Sequence, residues 1–145
     1  MATREQIYIA LFNKAAAAAA FGLTSRKLRL WSEVRAADMP ALFMSELNEG
    51  YKLNGSGIPP SKEFSVELYL YAPVERVPVG AAPVSPLNDI LDAIEAALGP
   101  SLATGRQDLG GLVYNAYIEN SITKDDGSLG EIAVAIIPIT IRVTK

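Results

Sequence analysis

The chain has 145 residues, a net charge of −3, and neither cysteine nor histidine. Its length is that of one domain, and 50% of its residues are hydrophobic, so it can bury a core without disulfides or a metal. The two missing residue types exclude disulfides, thiolate nucleophiles, His-based triads and zinc sites built on Cys or His. Because no uncharged apolar stretch reaches the roughly 20 residues that span a bilayer, the sequence predicts a soluble, intracellular protein without a signal peptide.

The N-terminal segment has the pattern of a helix that begins at Arg4. Thr3 and Gln6 have the spacing of a capping box, in which two side chains satisfy the first free backbone amides. The run Ala15–Ala20 has the highest helix propensity available, and Gly22 is predicted to end the helix. Core packing is the favoured role of the alanine run, and a tight contact with a neighbouring subunit is the alternative. The buried stripe is predicted to contain Ile7, Leu11, Ala15 and Ala18.

The next segment is basic within an acidic chain. Ser25–Arg35 holds several basic residues, a single acid and the only tryptophan. Alternation over Arg26–Trp31 predicts a strand with Leu28 and Leu30 on one face and Lys27, Arg29 and Trp31 on the other. A second strand is predicted over Ala41–Leu47.

We interpret this basic strand and the apolar run after it as a protein interface. Arg and Trp are frequent hot-spot residues, and a basic patch can dock on the acidic surface of another copy. The mean hydropathy of +0.20 is high for a small soluble monomer, which indicates further burial between subunits. A solvated edge strand, whose charges discourage aggregation, explains the basic pattern equally well. The candidate interface residues are Arg26, Lys27, Arg29, Trp31, Arg35, Leu42, Phe43 and Met44.

The middle of the chain combines one clear strand with two predicted loops. In Phe64–Tyr71 apolar residues take every second position, which is typical of an antiparallel strand with one buried face. The segments Asn48–Ser61 and Ala72–Val84 are rich in Gly, Pro or polar residues and predict mobile loops on either side of it.

A second helix is predicted to begin at Ser85, an N-cap residue followed by a proline. Two strands follow over Leu112–Thr123 and Glu131–Val143, with a hairpin turn between them. Pro138 lacks a backbone N–H, so it predicts an edge position or a bulge in the last strand. The apolar stripe of the second helix recurs at the helical period and comprises Leu87, Ile90, Leu91, Ile94 and Leu98.

These elements have the order αβββαββ. Connections of hairpin length favour antiparallel pairing, and helices that flank such a sheet pack together on one side of it. We therefore predict an α+β fold: a single domain over residues 1–145, with a mostly antiparallel sheet of about five strands and two helices packed on one face.

The polar residues form no recognisable catalytic or cofactor motif. Asp125, Asp126 and Glu131 lack the regular spacing of a calcium loop, so a turn explains them better than a metal site. The glycine clusters lack the patterns that bind phosphates. The sequence predicts no enzyme, no cofactor and no metal; a lysine paired with a carboxylate in a closed pocket would reopen the enzyme hypothesis.

Five segments taken together resemble a group of long-tailed bacteriophage and prophage tail proteins related to tail terminators, the minor tail proteins that cap the tail tube. The resemblance implies a small α+β fold and a homohexameric ring at the head-proximal end of the tube. Such a ring stops tube polymerisation and joins the tail to the neck or head. The segments are SRKLRLWSEV (Ser25–Val34), PALFM (Pro40–Met44), PLNDILDAIEAAL (Pro86–Leu98), LGGLV (Leu109–Val113) and AVAIIPITI (Ala133–Ile141).

The resemblance also implies partners and a location. The partners are further copies of the chain, the tail tube protein and a neck or head-completion protein, without a membrane. A sequence pI near 5.0 argues against a dedicated nucleic-acid binder and leaves at most non-specific contact with DNA in the lumen. The expected location is the tail of the virion, after assembly in the bacterial host cytoplasm.

Two alternatives stay open at this level. A neck or head–tail joining (connector) protein would share the small, ring-forming design. A monomeric ligand-binding module, from a different functional class, would use a groove between the sheet and the loops.

Overall fold

The computed structural model describes residues 2–74, 80, 85–127 and 131–144. It has an α+β fold, as predicted, with two helices and six strands. Two short 3₁₀ helices, Trp31–Glu33 and Ala36–Asp38, lie between the first two strands. The elements are α1 (Arg4–Ala16), β1 (Leu23–Ser25), β2 (Ala41–Lys52), β3 (Ser61–Pro73), α2 (Ser85–Ala97), β4 (Asn115–Ile118), β5 (Thr123–Asp125) and β6 (Ile132–Arg142).

The strands form one mixed sheet in the order β1-β2-β3-β6-β4, and β5 pairs with β6 beside β4. Only β1 and β2 are parallel, and the other pairs are antiparallel. The predicted strand Leu112–Thr123 is wrong in extent, because it is two short strands separated by a break. Asn120 lies in that break with a φ of 71°, a left-handed conformation that asparagine tolerates better than most residues.

Both helices pack on one face of the sheet, as predicted. The capping box of α1 is present: the Gln6 amide donates to Thr3 Oγ1 (3.2 Å), and the Thr3 amide donates to Gln6 Oε1 (2.9 Å). In β3 the predicted apolar positions all point into this core. The helices contribute the buried residues Ile7, Tyr8, Leu11, Ala15, Leu87, Leu91 and Ile94, and Leu98 is buried directly after α2.

Helix α1 ends earlier than predicted. Its last residue is Ala16, and the Ala18 amide donates to the Ala15 carbonyl (3.1 Å) in a tight final turn. Gly22 therefore does not end the helix. It instead brings two backbone segments into contact, because its amide donates to the Pro40 carbonyl (2.8 Å) and a Cβ at this position would lie 2.5 Å from the Asp38 carbonyl oxygen.

Strand β2 contains a β-bulge that reverses the direction of its side chains. Glu46 and Glu49 pair with residues of β3 that are only two positions apart, so Leu47 and Asn48 together oppose a single residue. Even-numbered residues face the helices before the bulge, and odd-numbered residues face them after it. As a result Glu49 and Tyr51 lie on the helix side of the sheet.

The predicted loop Asn48–Ser61 is wrong at both ends. Strand β2 continues to Lys52 and β3 begins at Ser61, so the connection is shorter than the polar composition indicated. Of the predicted loop Ala72–Val84, the first two residues belong to β3. Residues 75–79 and 81–84 lie outside the described part of the chain.

Pro138 is neither at a sheet edge nor in a bulge. It lies in β6, opposite Glu67 of β3, with a regular register on both sides. Its carbonyl accepts a hydrogen bond from the Glu119 amide (3.1 Å), so its nitrogen points toward the same side, into the break between β4 and β5. The β3–β6 ladder therefore loses no donor at this proline, because its nitrogen points away from β3.

Candidate functional site

The segment from residue 26 to residue 40 covers part of the outer face, the sheet face that points away from the helices. Val34 and Met39 are buried there against β2, β3 and β6 in a second apolar cluster, and Trp31 packs at its margin. We call this segment the cover. The Tyr71 hydroxyl donates a hydrogen bond to the Arg29 carbonyl (2.7 Å), which holds the start of the cover against the sheet. Trp31 therefore has a role in folding, and its replacement would not isolate an effect on assembly.

The predicted basic strand Arg26–Trp31 is wrong. Strand β1 ends at Ser25, and residues 26–30 have no strand partner before the 3₁₀ helix begins at Trp31. Leu28 and Leu30, predicted to share one face of that strand, are 37% and 61% exposed. The segment is an extended connection that leaves the sheet edge to cover the outer face, and alternation alone cannot distinguish such a connection from a strand.

Arg26 forms ion pairs with two other elements of the same subunit. Its guanidinium binds Glu5 of α1 through two contacts (2.8 and 3.0 Å) and Glu46 of β2 through a third (2.6 Å). The hydrogen bonds that Arg26 donates to Glu5 and Glu46 raise the pKa of Arg26, and the bonds to Glu5 lower the pKa of that carboxylate. Arg26 thus connects the start of α1 to the sheet, and its charge is already compensated within the subunit.

Of the other three basic residues, Arg35 forms an ion pair, whereas Lys27 and Arg29 form none with the described residues. Arg35 binds Asp38 within the second 3₁₀ helix (3.0 and 3.3 Å). Lys27 and Arg29 are exposed, and neither side chain has an ion-pair partner among the residues that the structure describes. These two cations and the two exposed leucines form an accessible segment, Lys27–Leu30.

The apolar candidates Leu42, Phe43 and Met44 belong to the core. Each is 0% exposed. Leu42 and Met44 lie beneath the helices, whereas Phe43 lies beneath the cover and contacts Tyr71 (5.5 Å between ring centroids). Because both faces of β2 are covered at this point, the three side chains are not a surface of the folded subunit.

None of the described residues covers the remainder of the outer face, which we call the open face; at its border Tyr69 and Ile136 also pack against the second apolar cluster. It consists of Glu67 and Tyr69 of β3, Ile136 and Pro138 of β6, and Tyr117 and Glu119 in and after β4. The strand register places Glu67, Pro138 and Glu119 in one row across the sheet. This surface combines aromatic and apolar groups with two carboxylates.

The carboxylates of the open face interact with neutral partners. The Tyr69 hydroxyl donates to Glu67 (3.1 Å), and the Thr140 hydroxyl donates to Glu119 (3.1 Å). Partial burial raises the pKa of Tyr69, and the nearby carboxylate of Glu67 raises it further by a smaller amount. In the described part of the chain no lysine or arginine forms an ion pair with either glutamate. The alternation of β3 predicted the position of Glu67, but no sequence signal placed Glu119 beside it.

A second exposed surface is the distal part of the β2–β3 hairpin, residues 49–64, which we call the arm. Its large apolar side chains Tyr51, Leu53 and Ile58 are 53%, 78% and 54% exposed. On its helix side Glu49 accepts hydrogen bonds from Arg4 (2.6 Å) and from the Tyr8 hydroxyl (2.7 Å). These contacts anchor the base of the arm to α1.

The anchoring of the arm is expected to weaken in acid. The hydrogen bonds from Arg4 and Tyr8 lower the pKa of Glu49 from its ordinary value of 4.5. A carboxylate with a lowered pKa in the folded state stabilises the fold above its unfolded pKa, and this stabilisation is lost as the pH falls through the folded pKa. Glu49→Gln should therefore lower the Tm at neutral pH, and its difference from the wild type should vanish at pH values well below 4.5.

Thermal melts of the wild type and Glu49→Gln across this pH range measure the effect. Glu95→Gln is the matched control, because Glu95 lies on the exposed side of α2 and forms no ion pair among the described residues. A constant Tm difference between wild type and Glu49→Gln at all pH values would show that Glu49 acts through packing and not through its charge.

A groove of about 600 Å³ lies at the base of the arm. Arg142 and Glu63 line it, with 4.0 Å between Arg142 Nε and Glu63 Oε2. Arg142 also lies over the Tyr114 ring (5.6 Å to the centroid). The groove is therefore polar and contains both signs of charge. Its other lining residues are Gly50, Tyr51, Lys52, Asn54 and Ser61.

The acidic residues near the β5–β6 turn have a local structural role. Asp125 Oδ1 accepts a hydrogen bond from the Gly127 amide (3.0 Å), as in an Asx-turn. Among residues 2–74, 80, 85–127 and 131–144, no three acidic side chains lie close enough together to hold a metal ion. Within the same ranges, neither helix has the length and hydrophobicity needed to cross a bilayer.

No protein-family model and no curated protein sequence matches the chain.

Proposed function

We propose that the protein is a structural component of a phage tail, a terminator that forms a homohexameric ring at the head-proximal end of the tail tube. The ring stops polymerisation of the tube and provides the surface to which the neck or head binds. Its partners are other copies of the chain, the tube protein and a neck or head-completion protein. The family named in this proposal comes from the resemblance of the five sequence segments to tail proteins related to tail terminators.

The observation that carries the proposal is the presence of separate exposed surfaces on different elements. Segment Lys27–Leu30 exposes two leucines and two unpaired cations, whereas the arm exposes Tyr51, Leu53 and Ile58. Exposed apolar residues at several places are typical of subunits that have several neighbours. A subunit that contacts its neighbours through two different surfaces can close a ring, and a third surface remains for the tube or the neck.

Tube assembly in vitro tests the proposal. Adding the protein to polymerising tube protein should produce short tubes with a cap at one end, and native mass spectrometry should detect a hexamer. Arg29→Ala with Leu30→Ala should fold normally but fail to limit tube length, because both side chains are exposed. Leu102→Ala is the control, since Leu102 is fully exposed and lies outside both surfaces. Tubes of unchanged length in the presence of wild-type protein would refute the terminator assignment.

The connector alternative makes a different prediction in the same experiment. A head–tail joining protein would bind completed tails and filled heads but would leave tube length unchanged. Electron microscopy of tails made without the protein separates the two roles: overlong tails support the terminator, and tails of normal length that fail to join heads support the connector.

The polar groove at the base of the arm favours a second function of another class, ligand binding by a monomer. Lys52 and Arg142 would bind an anionic group, and Glu63 would select against a larger negative charge. A protein that stays monomeric in the presence of tube protein and binds a small anion with loss of affinity in Arg142→Ala would favour this function.

A further inference from the structure

Two features of the subunit have complementary chemistry, and neither forms an ion pair with any of the described residues. Segment Lys27–Leu30 carries two cations that alternate with two exposed leucines. The open face carries two carboxylates with apolar and aromatic groups between them. We propose that segment Lys27–Leu30 of one copy docks on the open face of the next copy, so that the interface between subunits is heterologous. This inference rests on the proposed ring and identifies its contact.

The spacing of the charges fits this pairing. Glu67 and Glu119 lie on either side of Pro138, and two inter-strand steps separate their backbones by about 10 Å. Lys27 and Arg29 are two residues apart, so their backbones are at most about 7 Å apart. The long side chains of lysine and arginine span the remaining difference. Each cation can therefore reach one carboxylate while the segment lies across the sheet.

The apolar groups between the charges provide the second part of the contact. Leu28 and Leu30 are 37% and 61% exposed, and Tyr69, Ile136 and Pro138 are only half-buried in the isolated subunit. Docking would cover these side chains and remove water from the charge pairs, which strengthens each pair. An interface with an apolar centre and charged margins has the usual anatomy of a specific protein contact.

The segment does not make this contact with its own open face. In the same subunit the Tyr71 hydroxyl holds the Arg29 carbonyl at 2.7 Å, over the part of the sheet where Val34 and Met39 form the cover. Glu67 is four residues away from Tyr71 along β3, farther from the cover. The segment and the open face of one subunit are therefore available to two different neighbours, as a head-to-tail ring requires.

A charge-swap experiment tests the pairing. Lys27→Glu with Arg29→Glu gives a reversed-segment variant, and Glu67→Lys with Glu119→Lys gives a reversed-face variant. Each variant alone places like charges opposite each other and should associate at least about 100-fold more weakly than the wild type. An equimolar mixture should assemble again, because in an alternating ring every segment then meets a face of opposite charge.

A matched control shows whether a change in net charge, without a change in the open face, is enough to restore assembly of the reversed-segment variant. Asp89→Lys with Asp92→Lys changes two exposed carboxylates on α2 and gives the same net charge as the reversed-face variant. It keeps the wild-type segment and open face, so it should form rings of its own, but in a mixture it should not draw the reversed-segment variant into them. Melting curves establish whether each variant folds. If the reversed-face variant does not fold, Glu67→Gln with Glu119→Gln takes its place. This variant should fold and should weaken association, because it removes the charge attraction without adding repulsion.

Zero-length cross-linking gives an independent readout. Carbodiimide treatment of a mixture of ¹⁵N-labelled and unlabelled protein should join Lys27 of one copy to Glu67 or Glu119 of another, with both isotopes in the linked peptide. A hexamer without these links and without rescue in the mixture overturns the contact and leaves the ring intact. If the mixture of variants associates again and the cross-links form, but the assembled species is a dimer, the contact is supported and the ring is overturned. A monomer at high concentration and with tube ends present overturns both.

Discussion

Replacing Leu68 by alanine is expected to lower the free energy of unfolding by about 2–5 kcal/mol. Leu68 is 0% exposed in the central part of β3, beneath both helices. The truncation removes buried methyl groups and leaves a cavity that rigid neighbours on the paired strands β2 and β6 cannot fill. For a chain of this size the corresponding fall in Tm is about 3 °C for each kcal/mol, which differential scanning calorimetry resolves easily.

The same substitution at an exposed site is the control. Leu53 is 78% exposed in the arm, so Leu53→Ala should change the free energy of unfolding by less than about 0.5 kcal/mol. If the two variants had equal stability, the helix side of the sheet would not be the main core of the domain.

Gly22→Ala is expected to destabilise the domain by about 1–3 kcal/mol through steric overlap. The new Cβ would lie 2.5 Å from the Asp38 carbonyl oxygen and 2.8 Å from its carbon, both of which are backbone atoms that no rotamer change can move. The two segments must separate, which weakens the hydrogen bond from Gly22 to Pro40 and loosens the cover on the outer face. The single tryptophan, Trp31, lies in this cover, so its fluorescence should shift to longer wavelength as its ring gains contact with water.

Gly50→Ala is the matched control for this prediction. A Cβ at Gly50 would have its nearest contact at 3.8 Å, from the Glu63 carbonyl oxygen, which is an ordinary van der Waals distance. This variant should keep the wild-type Tm and tryptophan emission. Equal destabilisation by both substitutions would mean that the contact with Asp38 does not determine the effect.

The parts of the fold that the sequence predicted correctly are those where one local rule decides the structure. The capping box at Thr3 is a short-range hydrogen-bond pattern, and it forms as predicted. The alternation in Phe64–Tyr71 separates a buried side from a polar side because β3 is central and its two faces differ. The stripe of α2 is likewise buried at Leu87, Leu91 and Ile94.

The parts that the sequence did not predict depend on neighbours distant in the chain. The alternation in Arg26–Trp31 is the same for a strand and for an extended cover, and only the absence of a pairing strand decides between them. The bulge at Leu47 and Asn48 has no local signal, so the side chains after it cannot be assigned to a face from periodicity. Arg26 resembled a surface cation because its two partners, Glu5 and Glu46, are far from it in sequence.

The bulge in β2 also limits how the arm can change in length during evolution. An insertion or deletion of one residue at the bulge would turn Glu49 and Tyr51 to the opposite side of the sheet, and Arg4 and Tyr8 would lose their acceptor. Changes of two residues, matched in β3, would preserve every contact with α1. Variants of this protein with arms of different reach should therefore differ by even numbers of residues in each strand of the hairpin. Such proteins would present the tip of the arm at different distances from an unaltered core.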